Sequence, residues 1–346
     1  MSEMKQEPLV QIKNLKKHFI IKGKGLLHAV DGVSFDIYPG ETVGLVGESG
    51  CGKSTVGNVL LGLHPPTDGE FLFHGENIFA MDQKVRFNMC RKIQLIFQDP
   101  YSSLNPRKTI RTILEEAFII HKIATKGDKL SELVIELCND TGISPDLLAK
   151  YPHELDGGKR QIVGIARALS LSPEFIVCDE PVSSLDVSIQ ATIINLLTEL
   201  QAKRGLSYLF ISHDLSVVRH ISNRIAVMYL GEIIEMAPTD TIFENAMHPY
   251  SIALLSAVPQ VEIGHKVARI VLKGDVPSPL NPKPGCRFAP RCWMAQDICH
   301  KESPTPEAVD DNEHIVACHF CREAKNSAEN VLAKQKEMNN QEIVLQ

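Results

Sequence analysis

The sequence lacks a basic surplus. Lys and Arg number 36 against 42 Asp and Glu, for a net charge of −6. That disfavours a non-specific nucleic-acid binder and leaves room only for a local basic patch. A membrane-spanning run is missing as well. The longest stretch without a Lys, Arg, Asp or Glu, from Asn245 to Val261, is interrupted by His248, Pro249, Pro259 and Gln260. Met1 to Pro8 has no apolar core, since Glu3, Lys5 and Glu7 occupy it. The expectation is a chain that stays in the cytosol. Internal repeats are absent. What is there is ordinary for a globular protein, with 44% apolar and 23% charged residues, which excludes a fully disordered chain. At 346 residues, one large domain with a smaller appendage is the default.

The nine cysteines are unevenly placed. Cys51, Cys90, Cys138 and Cys178 stand alone and read as small buried or half-buried fillers. Cys286, Cys292, Cys299, Cys318 and Cys321 crowd one short segment.

Alternating apolar positions predict strands over Leu9–Leu15 and Val33–Ile37, and apolar runs predict them over Thr42–Val46, Lys92–Phe97, Phe175–Cys178 and Tyr208–Ile211. Helical spacing covers Lys53–Leu63, closed by Pro65-Pro66, then most of Thr109–Lys150, Gln161–Leu169 and Ser188–Lys203. Strand and helix alternate, so the fold class is α/β with a parallel sheet covered on its faces. The texture changes near Pro238. Pro277 to Pro306 is rich in Pro, Cys and Arg without periodicity, and the last twenty or so residues read as a polar, mildly helical, solvent-exposed tail.

The strongest motif is Gly47-Glu48-Ser49-Gly50-Cys51-Gly52-Lys53-Ser54-Thr55, placed directly after a strand and opening a helix. Glycines let successive N–H groups turn inward, and the helix N-terminus adds partial positive charge, so a triphosphate is cradled by amides. Lys53 can reach the β- and γ-phosphates and Ser54 can ligate Mg²⁺. The alternative is a glycine-rich turn that merely caps a helix; the strand–loop–helix context argues for ATP or GTP. A second motif, Phe175 to Glu180, ends an apolar strand in two acids at the carboxyl edge of the sheet. There Asp179 would hold Mg²⁺ through its water shell, and Glu180 would orient and deprotonate the attacking water.

Between these motifs, Leu155-Asp156-Gly157-Gly158-Lys159, preceded by Tyr151-Pro152-His153-Glu154, resembles the signature segment of ABC-transporter ATPases. The resemblance implies that Gln98 belongs to the Q-loop and helps hold Mg²⁺, that Asp186 belongs to the D-loop, that His213 is the switch histidine, and that Phe19 stacks on adenine. For Phe19, an ordinary core position is the alternative. The fold implied is a P-loop ABC ATPase cassette: a parallel-sheet core, an antiparallel β subdomain and a helical subdomain at about 100–165, together spanning 1–240. His248-Pro249-Tyr250, Leu254 to Pro259, Pro277-Ser278-Pro279 and the cysteine segment are similar to the C-terminal extension of oligopeptide/dipeptide importer ATPases, of the "F" subunit kind. That extension would span 241–325, before a polar tail at 326–346.

One position departs from the family. Asp156 stands where the signature has a Ser that donates to the γ-phosphate held by the opposite subunit, and Lys159 replaces the usual Gln. Two like charges at ~4 Å cost roughly 4 kcal/mol at an effective dielectric of about 20. The alternative is that Asp156 is a helix N-cap whose charge Lys159 and Arg160 offset. The first reading implies a dimer with one complete site and one slower one.

Cys286, Cys292, Cys299 and Cys318 are spaced more widely than the tight pairs of structural zinc sites, which favours a [4Fe–4S] cluster. The resemblance points the same way. The Cys318-x2-Cys321 pair keeps zinc, and the identity of the fourth ligand, open, and cysteines without any ligand are a further alternative.

The expected function is a motor. Two ATPase subunits would close on ATP and drive two permease subunits, supplied by an extracytoplasmic solute-binding protein, from the cytoplasmic face of the membrane. The region Gln98–Arg107 and the helices after it would receive the permeases. Peptide import is expected, a nickel or metal-chelate importer being the alternative. A non-transport ABC ATPase fits less well, since Lys53 to Asp179 is continuous, holds no sustained heptads, and belongs to a single cassette. The intact Glu180 and His213 disfavour a purely regulatory module.

Overall fold

The computed structural model describes residues 7–258, 269–310 and 313–344. Two sheets meet beside the phosphate loop. The chain opens with β1 (Val10–Ile21) and β2 (Gly25–Ile37), an antiparallel pair registered from Val10–Ile37 to Ile21–Gly25. β3 (Thr42–Val46) then enters the second sheet and leads into α1 (Lys53–Leu60). β4 (Asp68–Phe73) and β5 (Glu76–Asn77) return to complete the four-stranded antiparallel order β2-β1-β4-β5.

After α2 (Gln83–Met89) and β6 (Ile93–Ile96), four helices follow: α3 (Pro100–Ser103), α4 (Ile110–Ile120), α5 (Asp128–Thr141) and α6 (Gly157–Leu169). Helix and strand then alternate through β7 (Phe175–Asp179), α7 (Val187–Arg204), β8 (Ser207–Ser212), α8 (Leu215–Ile221) and β9 (Arg224–Tyr229). β10 (Glu232–Pro238) and α9 (Thr239–Asn245) lead into the extension, which holds α10 (Pro249–Ser256), adds β11 (Glu307–Ala308) and β12 (Ile315–Val316), and runs on into α11 (Cys321–Val344).

The large sheet has the order β11-β12-β10-β9-β3-β8-β7-β6, parallel from β9 to β6. Every residue of β3 and β8 is buried, because both faces of the sheet are covered. Alternation persists beneath the continuous apolar run. Phe175, Val177, Leu209 and Ile211 face the core shared with the antiparallel sheet, while Ile176, Cys178, Tyr208 and Phe210 face the helices.

Several expectations are corrected. β1 and β2 run well past Leu15 and begin well before Val33, because cross-strand pairing extends them through Lys16–Ile21 and Gly25–Gly32, where the apolar pattern is weak. α1 ends at Leu60, before the prolines, in a turn where Gly62 has φ +71°. β9 and β10 had no strand expectation. Cys90 is exposed, capping the C-terminus of α2 on the surface, whereas Cys51, Cys138 and Cys178 are buried. The tail is not wholly solvated: Ala328 of α11 is buried and clusters with Ala253, Ile270 and Trp293. Pro259 and Val261 lie outside the described residues.

Candidate functional site

The phosphate loop joins β3 to α1, and its glycines are required by close approach as well as by angle. Gly47 and Gly52 have φ +156° and +110°. A Cβ at Gly52 would lie 2.1 Å from the Ala29 carbonyl oxygen, and one at Gly47 2.2 Å from that of Met228. No side chain caps α1, so its first N–H groups face the site. Lys53 is buried, and its Nζ donates to the carbonyls of Gly47 at 2.8 Å and Glu48 at 3.0 Å.

The acidic edge lies where the parallel strands end. Ser54 Oγ donates to Asp179 Oδ1 at 2.8 Å. Burial pushes the Asp179 carboxyl above its usual range, and the neighbouring Glu180 charge adds to this against the pull of Ser54 and Lys53. A bound divalent cation would reverse that preference. Glu180 sits in the left-handed region at φ 45°, a strain of order 1 kcal/mol for a non-glycine residue. Its N–H donates to Ile211 O at 3.0 Å. Its carboxylate is held on both sides: Gln98 Nε2 donates to Oε2 at 2.9 Å, and His213 Nδ1 lies 3.1 Å from Oε1. Gln98, Glu180 and His213 follow β6, β7 and β8, which are adjacent, so sheet order alone brings them together.

One cavity is walled by Phe19, Leu27, Ala29, Ser49, Gly50, Gly52, Lys53, Ser54, Thr55, Gln98, Glu180, His213 and Pro279. Phe19 is therefore on the wall, with Lys17 Nζ 4.8 Å from its ring centre. Two loop residues turn elsewhere. Cys51 is buried with its Sγ 3.8 Å from Lys53 Nζ, and the Glu48 carboxylate meets Arg291.

The signature segment lies outside this cavity. Leu155 is buried in the helical core, so its side chain belongs to packing. Asp156 caps α6, and Lys159 beside it is exposed. Gly158 is needed for contact with α7, since a Cβ there would meet Ile189 Cγ2 at 2.7 Å. Asp186 is exposed at the start of α7 and makes no capping bond.

Cys286, Cys292, Cys299 and Cys318 line a second cavity, together with His248 and Phe288; Cys321 is not among its walls. None of these cysteines is in a disulfide. Burial pushes the Cys292 thiol to about 11 and the Cys318 thiol to about 12. Backbone N–H groups of Met294 and Phe320 donate to the sulfurs of Cys292 and Cys318, each at 3.4 Å.

Three neighbours were not expected at the nucleotide site: Pro279 on its cavity, and Tyr250 and Arg291 on the phosphate loop, although Tyr250 and Pro279 belong to motifs that mark the extension. All come from the extension, some 200 or more residues away in the chain, so no local spacing could reveal them.

A phosphate loop, an acidic strand edge and a histidine just past the end of the adjacent strand define a P-loop ATPase of the ABC class. A family model described as ABC transporter matches residues 30–183, and one described as oligopeptide/dipeptide transporter, C-terminal region, matches 234–299. The chain is 49% identical over 329 residues to the oligopeptide transport ATP-binding protein AppF of Bacillus subtilis, covering 92% of this chain and 99% of that one. It is 46% identical over 327 residues to the dipeptide transport ATP-binding protein DppF of Haemophilus influenzae, covering 92% and 99%. Among solved structures, a dimeric ATP-binding cassette in a post-hydrolysis state bound to ADP and Pi matches with TM-score 0.61 and 29% identity, covering 66% of this chain and 98% of that one. The cassette cbiO1 of Clostridium perfringens matches with TM-score 0.61 and 25% identity, covering 69% and 92%. The chain belongs to the family of oligopeptide/dipeptide ABC-transporter ATP-binding subunits. It has the ABC ATPase cassette fold, and its activity is ATP hydrolysis, with ATP and Mg²⁺ as the expected ligands. Among the described residues, no helix is long and apolar enough to cross a membrane.

Proposed function

We propose that this chain is one of two different ATPase subunits that power uptake of oligopeptides or dipeptides, docked on the cytoplasmic face of the membrane against two permeases fed by a solute-binding protein. The observation that carries the reading is the grip of Gln98 and His213 on Glu180 beside the phosphate loop, in a chain that continues into the peptide-transporter extension.

Bound MgATP would supply a γ-phosphorus open to in-line attack by water. Lys53 would exchange its loop carbonyls for phosphate oxygens. Ser54 and Asp179, with Gln98, are the candidate Mg²⁺ ligands. Glu180 orients the water and takes its proton, while His213 fixes the carboxylate from the opposite side to Gln98. Phe19 offers a face to the base. The exposed Asp156, Lys159 and Asp186 lie away from the chain's own cavity, which supports a role at the nucleotide of a partner subunit. That the relative in a post-hydrolysis state is dimeric favours the same arrangement.

A groove lined by Leu63, Gln94, Leu95, Phe97, Ile113, Ala117, Ile120 and His121 supports docking of a permease helix between the sheet edge and α4. Leu63, Phe97 and Ile120 are exposed there.

The four cysteines around one cavity are proposed to hold a [4Fe–4S] cluster. A single tetrahedral zinc with bonds of about 2.3 Å needs sulfurs within ~4 Å of one another. Among the described residues, the only three His, Cys, Asp or Glu ligand atoms within 4.8 Å of one another are those of His18, His28 and Asp31. Four thiols that converge on one cavity, with no tight C-x2-C pair among them, suit a cluster of several irons.

The test is purification of the tagged chain from membranes in mild detergent under anaerobic conditions, with identification of its companions. Two permeases, a second ATPase and a peptide-binding protein are expected. A binding protein for nickel or a metal chelate would replace the solute, and recovery with ribosomal or DNA-repair partners would overturn the reading.

A further inference from the structure

Glu48, the second residue of the phosphate loop, has all three of its polar groups engaged, two of them by the extension. Its carboxylate takes the guanidinium of Arg291 in a fork, Nη1 to Oε2 at 2.7 Å and Nη2 to Oε1 at 3.1 Å. Its N–H donates to the Tyr250 hydroxyl at 2.8 Å. Its carbonyl accepts from Lys53 Nζ, the ammonium that the loop would present to phosphate. The Arg291 side chain is 8% exposed and that of Glu48 27%, so the guanidinium is largely withdrawn from water, and its planar fork fixes direction as well as charge.

Both extension groups lead straight to the cysteines. Arg291 immediately precedes Cys292 in the chain. The Tyr250 ring packs on Phe288 at 5.5 Å between centroids, and Phe288 shares the wall of the cysteine cavity. A second arginine, Arg287, immediately follows Cys286 and pairs with Asp31 and Glu232, on β2 and β10. The cysteine segment is thus tied to the nucleotide-binding face by side chains next to two of its own cavity-lining cysteines.

We infer that Arg291 is a positioning residue for the nucleotide site, and that through its grip on Glu48 the state of the cysteine segment sets the affinity of the phosphate loop for ATP. The second half rests on the cluster proposed above; the Arg291 half stands without it. With the cysteines drawn together, Arg291 and Phe288 are held in place, and Glu48 is held so that the loop amides turn inward. With the cysteines released, the loop loses two of its restraints, and the Glu48 carboxylate, stripped of its cation, opposes an incoming triphosphate. Linkage requires the converse: nucleotide binding must stabilise the cysteine site by the same factor.

The experiment measures binding of the non-hydrolysable analogue AMP-PNP with Mg²⁺ by equilibrium dialysis, on the full chain purified anaerobically, with iron content determined on each sample. Arg291→Ala is expected to weaken binding about tenfold while retaining wild-type iron. Arg291→Lys, which keeps the charge and loses the fork, should fall between. Arg291→Ala combined with Glu48→Ala should bind no more weakly than Arg291→Ala alone, because the arginine acts through Glu48. Cys292→Ser should lose iron and weaken binding by a similar factor, with no further loss when Arg291→Ala is added. Chelation of iron from the wild-type chain, followed by the same dialysis, repeats that arm without relying on the folding of the serine variant. Binding of Arg291→Ala within twofold of wild type overturns the inference. Iron loss with unchanged affinity overturns its coupling half. A wild-type chain that carries no iron overturns the cluster reading instead, and the Arg291 variants then decide the inference by themselves.

Discussion

Asp156 and Lys159 close on one another twice, Asp156 Oδ1 accepting the Lys159 N–H at 2.8 Å and Oδ2 meeting Lys159 Nζ at 2.9 Å. The backbone bond, then the ammonium, holds the Asp156 carboxyl below its ordinary range. This is N-cap geometry, so the capping role has its contacts within one chain. The repulsive role depends on a partner's γ-phosphate. Asp156→Ser keeps a capping oxygen and is expected to change stability by less than about 0.5 kcal/mol. Turnover per dimer should rise, measured as phosphate release from the reconstituted pair. Unchanged turnover with unchanged ATP affinity would leave only the cap.

Glu180→Gln removes the carboxylate that Gln98 and His213 hold in common. Hydrolysis should fall at least about 100-fold, the typical weight of a positioned general base. Nucleotide binding should survive, because the amide keeps a similar shape. Single-turnover phosphate release beside a binding measurement separates the two. Loss of binding with the rate constant preserved would remove Glu180 from the base role.

Asp140 ties the helical block to the C-terminal end of α7. Its carboxylate takes Arg204 Nε at 2.9 Å and also pairs with Lys203. Burial would raise its pKa, but these partners outweigh it, and the carboxyl is lowered below its ordinary range near 3.8. The folded state therefore binds this proton less readily than the unfolded chain. The stabilisation is complete above the unfolded value and is lost as pH falls below about 4 through the lowered one. Asp140→Asn should cost about 2 kcal/mol at neutral pH and flatten the acid limb of the stability curve. Urea melts at stepped pH read both. An acid limb identical to wild type would assign the acid sensitivity to other carboxylates.

Ile120 is 56% exposed at the rim of the groove beside α4. Ile120→Glu places a charge where an apolar permease helix would sit, and it should abolish recovery of the permeases while leaving ATP binding within twofold. Undiminished recovery would move the docking surface elsewhere.

The nucleotide chemistry was legible because its residues are local. Gly47 to Thr55 is one uninterrupted turn, and Asp179-Glu180 are neighbours at one strand end. Family motifs pointed to Gln98 and His213 by their order in the chain, and the fold sets both beside Glu180. The pairing of β1 with β2 past Leu15 was not legible, because their outer halves hold together by cross-strand partners rather than by their own alternation. Leu155 shows the opposite failure: it sits inside a signature motif, yet packs in the core.

By itself, the sequence determined what depends on short spacing: the phosphate loop, the acidic pair, the parallel α/β alternation and the unusual Asp156. Only the tertiary structure decided how the extension engages the ATPase. It adds β12 and β11 to the large sheet, lines the nucleotide cavity with Pro279, and holds Glu48 through Arg291 and Tyr250. The tertiary structure also decided that Cys318, rather than Cys321, shares a cavity with the other three cysteines. These contacts join residues far apart in the chain, and their pairing follows from how the sheet and helices bury their faces.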